Sequence, residues 1–224
     1  GRVRRHEEEV DAVNAKIKTL AERMAADQDF VAEGRKLREG LARRGGLEER
    51  CQRLSAEVKV LKEVMAAWQG FHGLEIYNGV IGRLDGSQYA TDHWDMLLSA
   101  GRRVWGYVND DSHKAVGDTE LGWNVTYVRE PTAAGVIHAL RHGEFYGSTG
   151  VEITEISVTG SRIRIATSNA DRIIAVRDGQ KRIKIVDGPV MELDYTDPIW
   201  KYVRFECLGH GERFAWTQPF WLTP

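Results

Sequence analysis

The sequence predicts a mixed α and β chain in three parts. These are a helical hairpin or coiled coil over 1–69, an α/β segment over 70–150, and an antiparallel, sandwich-like β-domain over 151–224. Three observations carry this. Before Trp68, apolar residues recur at alternating spacings of three and four, the period of a helix. After it, aromatic and glycine-rich text places strand-like runs around helical ones. From Val151, short alternating runs are cut by turn residues, the habit of antiparallel sheets.

In the first part, Val10, Val13, Ile17, Leu20 and Met24 form one stripe. Leu47, Cys51, Leu54, Val58, Leu61 and Met65 form another. The residues between are mostly Glu, Lys, Arg and Ala, good helix formers on wet faces. Helices near 6–26 and 47–67 are therefore expected, burying Val13, Ile17, Leu20, Leu54, Val58 and Leu61. Gly45-Gly46 reads as the turn between them, and Asp29 as a cap for a segment opening at Phe30. The stripes pack on each other or on the next domain, or else they make the chain a homo-oligomer.

Gln69 to Gly73 is a hinge by composition. Leu74 to Gly79 reads as a strand. Thr91 or Asp92 caps a helix that Gly101 ends, and the apolar run Val104 to Val108 is a buried strand. Gly122 to Val128 reads as another. Thr132 caps a helix through Arg141 with the stripe Val136, Ile137 and Leu140. His138 and His142 stand one turn apart on it; such a pair without a third ligand is weak evidence for zinc. In the last part, turns are expected at Gly160-Ser161, Asp178-Gly179, Asp187-Gly188-Pro189 and Gly209-His210-Gly211.

At 224 residues the chain is long enough for a real core. All seven Trp and all seven Tyr lie from Trp68 onward, which places that core in the later parts. Net charge of −2 gives no basic footprint for nucleic acid or an anionic membrane, and no apolar run approaches a membrane span. Cys51 and Cys207 lie in segments of opposite character, so a disulfide framework is not expected and a soluble, cytoplasmic or other intracellular setting is.

The chemistry concentrates after the VWGYV run, at Asp110-Asp111-Ser112-His113. On an extended backbone Asp111 and His113 point to one side, where a carboxylate and an imidazole can share a metal ion. The competing reading makes the aspartates caps of a surface turn. Asp110, Glu75 and His93 are candidates to complete a ligand set. Ser148 and Thr149 offer hydroxyls to a phosphate, or else form a structural turn.

Several stretches carry a family likeness. They are Gly73 to Gly79, His93 to Leu98 with Gly101-Arg102-Arg103, Asp110 to His113, Phe145 to Gly150, and Trp216 to Leu222. In order and spacing, the chain from Gly73, about two-thirds of its length, resembles the C-terminal half of a PHP-family (polymerase and histidinol phosphatase) phosphoesterase with a trailing small β-domain. The resemblance implies a partial PHP-type α/β barrel half. It implies a divalent metal (Zn, Mn or Fe) held by Asp111 and His113, with both side chains facing one cavity. It also implies a phosphorylated substrate and hydrolysis of phosphoester bonds. The family's opening H-x-H strand has no counterpart here; a charged helical segment stands in its place. Hydrolysis then requires ligands from another segment or chain. The alternative is a catalytically silent assembly protein, such as a phage particle component, with a helical oligomerisation stalk.

Overall fold

A computed structural model of the chain describes residues 8, 10–16, 18–19, 30–84, 86–114, 116–195 and 199–222. The chain divides into two compact units, Gly1–Trp68 and Gln69–Pro224.

In the first unit, residues 10–16, 18 and 19 are helical, and one 38-residue helix, α1, spans Phe30–Ala67. The expected turn at Gly45-Gly46 is absent, because α1 runs straight through it. Both glycines keep helical φ, and the Arg44 to Glu48 ion pair (2.7 Å) spans the site along the helix. Two glycines cost a helix roughly 2 kcal/mol against alanine, which a long helix of strong formers on either side absorbs. Val13 and Leu47 are buried, Leu54 is half-buried, and Val58 is exposed rather than buried as expected. The Asp29 cap, Ile17 and Leu20 lie outside the described residues, as does the Leu61 side chain.

The second unit opens with a parallel pair. Strand β1 (Gly73–Asn78) leads through a 3-10 turn (Val80–Arg83) to helix α2 (Thr91–Ser99), which returns the chain to strand β2 (Trp105–Asn109) beside β1. Helix α2 buries Trp94, Asp95, Leu97 and Leu98, and Gly101 ends it at positive φ. No side chain caps its start. Strand β3 (Trp123–Thr126), helix α3 (Ala133–His142) and strand β4 (Phe145–Ser148) follow. Thr132 Oγ1 accepts from Gly135 N (3.1 Å) at the head of α3, and Gly143 closes it in the left-handed conformation. Ala139 is the residue α3 buries; Ile137, expected on the inner stripe, is exposed.

Strands β5 (Ile153–Thr159), β6 (Arg162–Thr167), β7 (Ala170–Arg177), β8 (Lys181–Asp187), β9 (Val190–Asp194), β10 (Tyr202–Gly209), β11 (Arg213–Thr217) and β12 (Phe220–Trp221) complete the unit. The four glycine turns read from the sequence fall between β5 and β6, β7 and β8, β8 and β9, and β10 and β11. One antiparallel sheet has the order β3-β4-β11-β10-β7-β8, with β12 on β10, and a second has the order β5-β6-β9. The first sheet joins strands from before and after residue 150, so both stretches share one fold. Ile163, Ile165, Met191 and Leu193 of the small sheet meet Ile173, Val203, Phe205 and Cys207 of the large one in a single apolar core. The outer face of the small sheet is a ladder of exposed ion pairs, including Arg162 with Asp194 and Arg164 with Glu155 and Glu192. Among the described residues the sheets stay open and no closed barrel forms.

Candidate functional site

β2 delivers the D-x-H turn, and its position is set on both edges. One edge bonds β1. On the other, two carboxamides stand in for a neighbouring strand. Gln218 Oε1 accepts from Gly106 N (2.9 Å) while its Nε2 donates to Gly106 O (2.8 Å). Asn124 does the same for Val108, with Oδ1 accepting from its N–H (3.0 Å) and Nδ2 donating to its carbonyl (2.9 Å). A primary amide presents the donor and acceptor of a peptide, so alternate residues of β2 are satisfied without a strand. The approach is close. A Cβ on Gly106 would lie 2.8 Å from the Trp94 ring, and one on Gly147 would lie 2.2 Å from Val108.

Beyond β2 the turn is pinned at both ends. Asp110 Oδ2 accepts from Glu120 N (3.0 Å), and its carbonyl accepts from Val80 N (3.0 Å). Asp118, buried, takes Arg83 Nη1 on one oxygen and the His113 N–H (3.4 Å) on the other. Between these pins Asp111 adopts φ 56°, a left-handed conformation that aspartate tolerates better than most residues. Asp111 Oδ1 and His113 Nδ1 come to 4.0 Å of each other. Their common side thus arises from the turn, not from the extended backbone that alternation assumes. The side chains are 43% and 70% exposed, open to solvent rather than enclosed in a cavity.

The other candidates form bonds elsewhere. Glu75 accepts from Asn109 Nδ2 (2.9 Å) on one oxygen and from Asn78 Nδ2 (3.1 Å) on the other. His93 Nδ1 lies 3.0 Å from Asp92. Buried Ser148 donates to Val151 O (2.7 Å) and accepts from Gly150 N (2.9 Å), while Thr149 Oγ1 accepts from Phe214 N (2.8 Å). Both hydroxyls thus serve the bend that leads from β4 toward β5. Among the described residues, no three His, Cys, Asp or Glu side chains converge as metal ligands do.

The sequence reading missed Asp118 and Arg83, Asn124 and Gln218, and the pair Asp95 and Arg204. Arg204 Nε and Nη2 grip Asp95 Oδ1 (2.8 Å) and Oδ2 (2.6 Å), and Tyr202 OH donates to Oδ1 (2.8 Å). Burial opposes the charge on Arg204, but hydrogen bonding and attraction to Asp95 and Glu206 outweigh it and raise the guanidinium pKa. At the opposite, N-terminal end of β2, a cleft of about 360 Å³ is lined by Trp105, Tyr127, Glu144, Phe145 and Phe220 among others. Burial there pushes the Tyr127 phenol up to about 12. His138 and His142 stack on α3 with ring centroids 4.0 Å apart.

No protein-family model, curated protein or solved structure matches this chain. No helix among the described residues is long and apolar enough to cross a membrane.

Proposed function

We propose that this chain is the closing portion of a PHP-type, metal-dependent phosphoesterase: a half-barrel remnant followed by a sandwich-like domain. It hydrolyses phosphoesters when another segment or chain completes its ligand set. The observation that carries the reading is the D-x-H pair. It sits at the C-terminal end of a parallel β-α-β strand, where α/β enzymes place their chemistry, with its two donor atoms 4.0 Å apart.

A carboxylate and an imidazole suit Zn, Mn or Fe, and ligands bonding at about 2 Å lie within roughly 3–4 Å of each other. Asp111 and His113 would hold the ion. When bound, it supplies Lewis acidity and an acidified water. Asp110 and Asp118 act as positioning residues, fixing the turn on Glu120 N and on Arg83. The exposure of the pair leaves room for the remaining ligands and for a phosphate.

A second reading is favoured by how the other candidates are used. Both Glu75 oxygens and the Ser148 and Thr149 hydroxyls are engaged within the chain, as suits a silent assembly module. Metal titration separates the two. Stoichiometric uptake of Zn, Mn or Fe, lost in Asp111→Asn, supports the phosphoesterase origin. No uptake at millimolar ion overturns it in favour of the silent module. Catalytic metal sites use about three protein ligands, so the unassisted chain should hydrolyse p-nitrophenyl phosphate only poorly with Mn or Zn. Robust turnover abolished by Asp111→Asn would show that the chain needs no added ligands.

A further inference from the structure

Helix α1 carries two kinds of apolar surface. Around Leu47 it is covered. Val13 and Leu47 are buried, and a shallow cleft between the helical segments is bounded by Val10, Asp11, Glu48, Cys51 and Gln52. Beyond Leu54 the described members of the stripe are more open. Met65 is half-buried, Val58 is 38% exposed, and Trp68 is 62% exposed although its N–H still donates to Val64 O. Positions 47, 51, 54, 58, 61, 65 and 68 alternate four and three apart, the d and a sites of a heptad.

We infer that the stretch from Leu54 to Trp68 pairs, parallel and in register, with the same stretch of a second copy of this chain. The flanking charges choose the occupant and its direction. With Leu54 at d and Val58 at a, Ser55 and Lys62 fall at e, while Arg50, Glu57 and Val64 fall at g. In a parallel pair each g residue meets the e residue five positions on in the other helix. Glu57 then meets Lys62 of the second copy, twice by symmetry, and Arg50 meets Ser55. An antiparallel pair about the same centre sets Glu57 against Val64 and Ser55 against Lys62, with no opposite charges in contact. Val58 at a beside Leu54 at d is the combination that favours two strands. Lys59 and Glu63 pair along the outer face of the helix (4.0 Å), away from the seam. This inference is independent of the phosphoesterase reading.

The seam is only about two heptads long, so association should be weak, with a dissociation constant in the micromolar range. Sedimentation equilibrium of the full chain from about 1 to about 100 µM should show the mass rising from one copy toward two. Val58→Asp should abolish the rise without loss of helical circular dichroism. Glu57→Lys should weaken association about tenfold, and Glu57→Lys with Lys62→Glu should restore it. In a Cys51→Ser background, Val58→Cys should cross-link rapidly to dimer on oxidation, because a parallel, in-register seam sets the two sulfurs side by side at a facing a position. A chain that stays monomeric at 100 µM overturns the inference, as does a dimer indifferent to Val58→Asp or one that fails to cross-link.

Discussion

Arg204 lies on β10 with its guanidinium sealed between Asp95, Glu206 and the Trp94 ring. Both Arg204 and Asp95 are almost fully buried, so each is the condition for the other's charge. Removing one partner of such a pair leaves an ion without water or counter-charge, at a cost of roughly 3–5 kcal/mol. Asp95→Ala should lower the unfolding free energy measured by urea titration by that amount, and the double change Asp95→Leu with Arg204→Met should be milder. A double mutant as unstable as Asp95→Ala would locate the loss in packing around Trp94 instead.

At the scale of elements, β2 and α1 show opposite relations to the sequence. β2 depends on two side chains far along the chain, Asn124 and Gln218. Gln218→Glu is nearly isosteric, yet it replaces a donor with an oxygen facing Gly106 O. Loss of that bond and the new repulsion should cost roughly 2–4 kcal/mol. Amide exchange at Gly106 and Val108 reads the effect directly; unchanged protection at both would show that the carboxamide does not hold the strand. α1 depends on its own residues. At Gly45 and Gly46 an added Cβ meets nothing within 4 Å. Alanine at each should stabilise α1 by roughly 1 kcal/mol, seen as higher helicity and a raised melting temperature of the first unit. A fall in helicity would mean that the glycines bend the helix in solution.

Across the second unit, several groups keep their protons because the fold buries them. Burial pushes the Cys207 thiol up to about 12, from an ordinary value near 9, and the Tyr127 phenol to about 12. Burial, with the Asp95 charge beside it, raises Tyr202 as well. In each case the folded form holds a proton that the unfolded chain releases sooner. The stabilisation is complete below the unfolded pKa and is lost as pH rises through it toward the folded value. Melting temperature should therefore fall steadily from about pH 9 to 12, and Cys207→Ala should flatten the earliest part of that fall. Thiol reagents at pH 8 should spare Cys207 until the protein unfolds.

Local features could be read directly from neighbouring residues. Alternation and glycine turns placed the later strands, and Thr132 marked the start of α3, because capping and pleating depend on neighbours a few residues apart. The nearness of Asp111 and His113 was expected from an extended backbone, but it is the left-handed turn at Asp111 that brings them to 4.0 Å. Gly45-Gly46 misled because glycine lowers helix propensity without forbidding helix, and the length of α1 outweighed it. Tertiary structure alone decided which distant partners met. Gln218 reaches β2 from 112 positions away, Asp95 meets Arg204 across 109, and Asp118 finds Arg83 across 35. No spacing rule encodes such pairs; they follow from a polar group that must be satisfied once the apolar faces around it have closed.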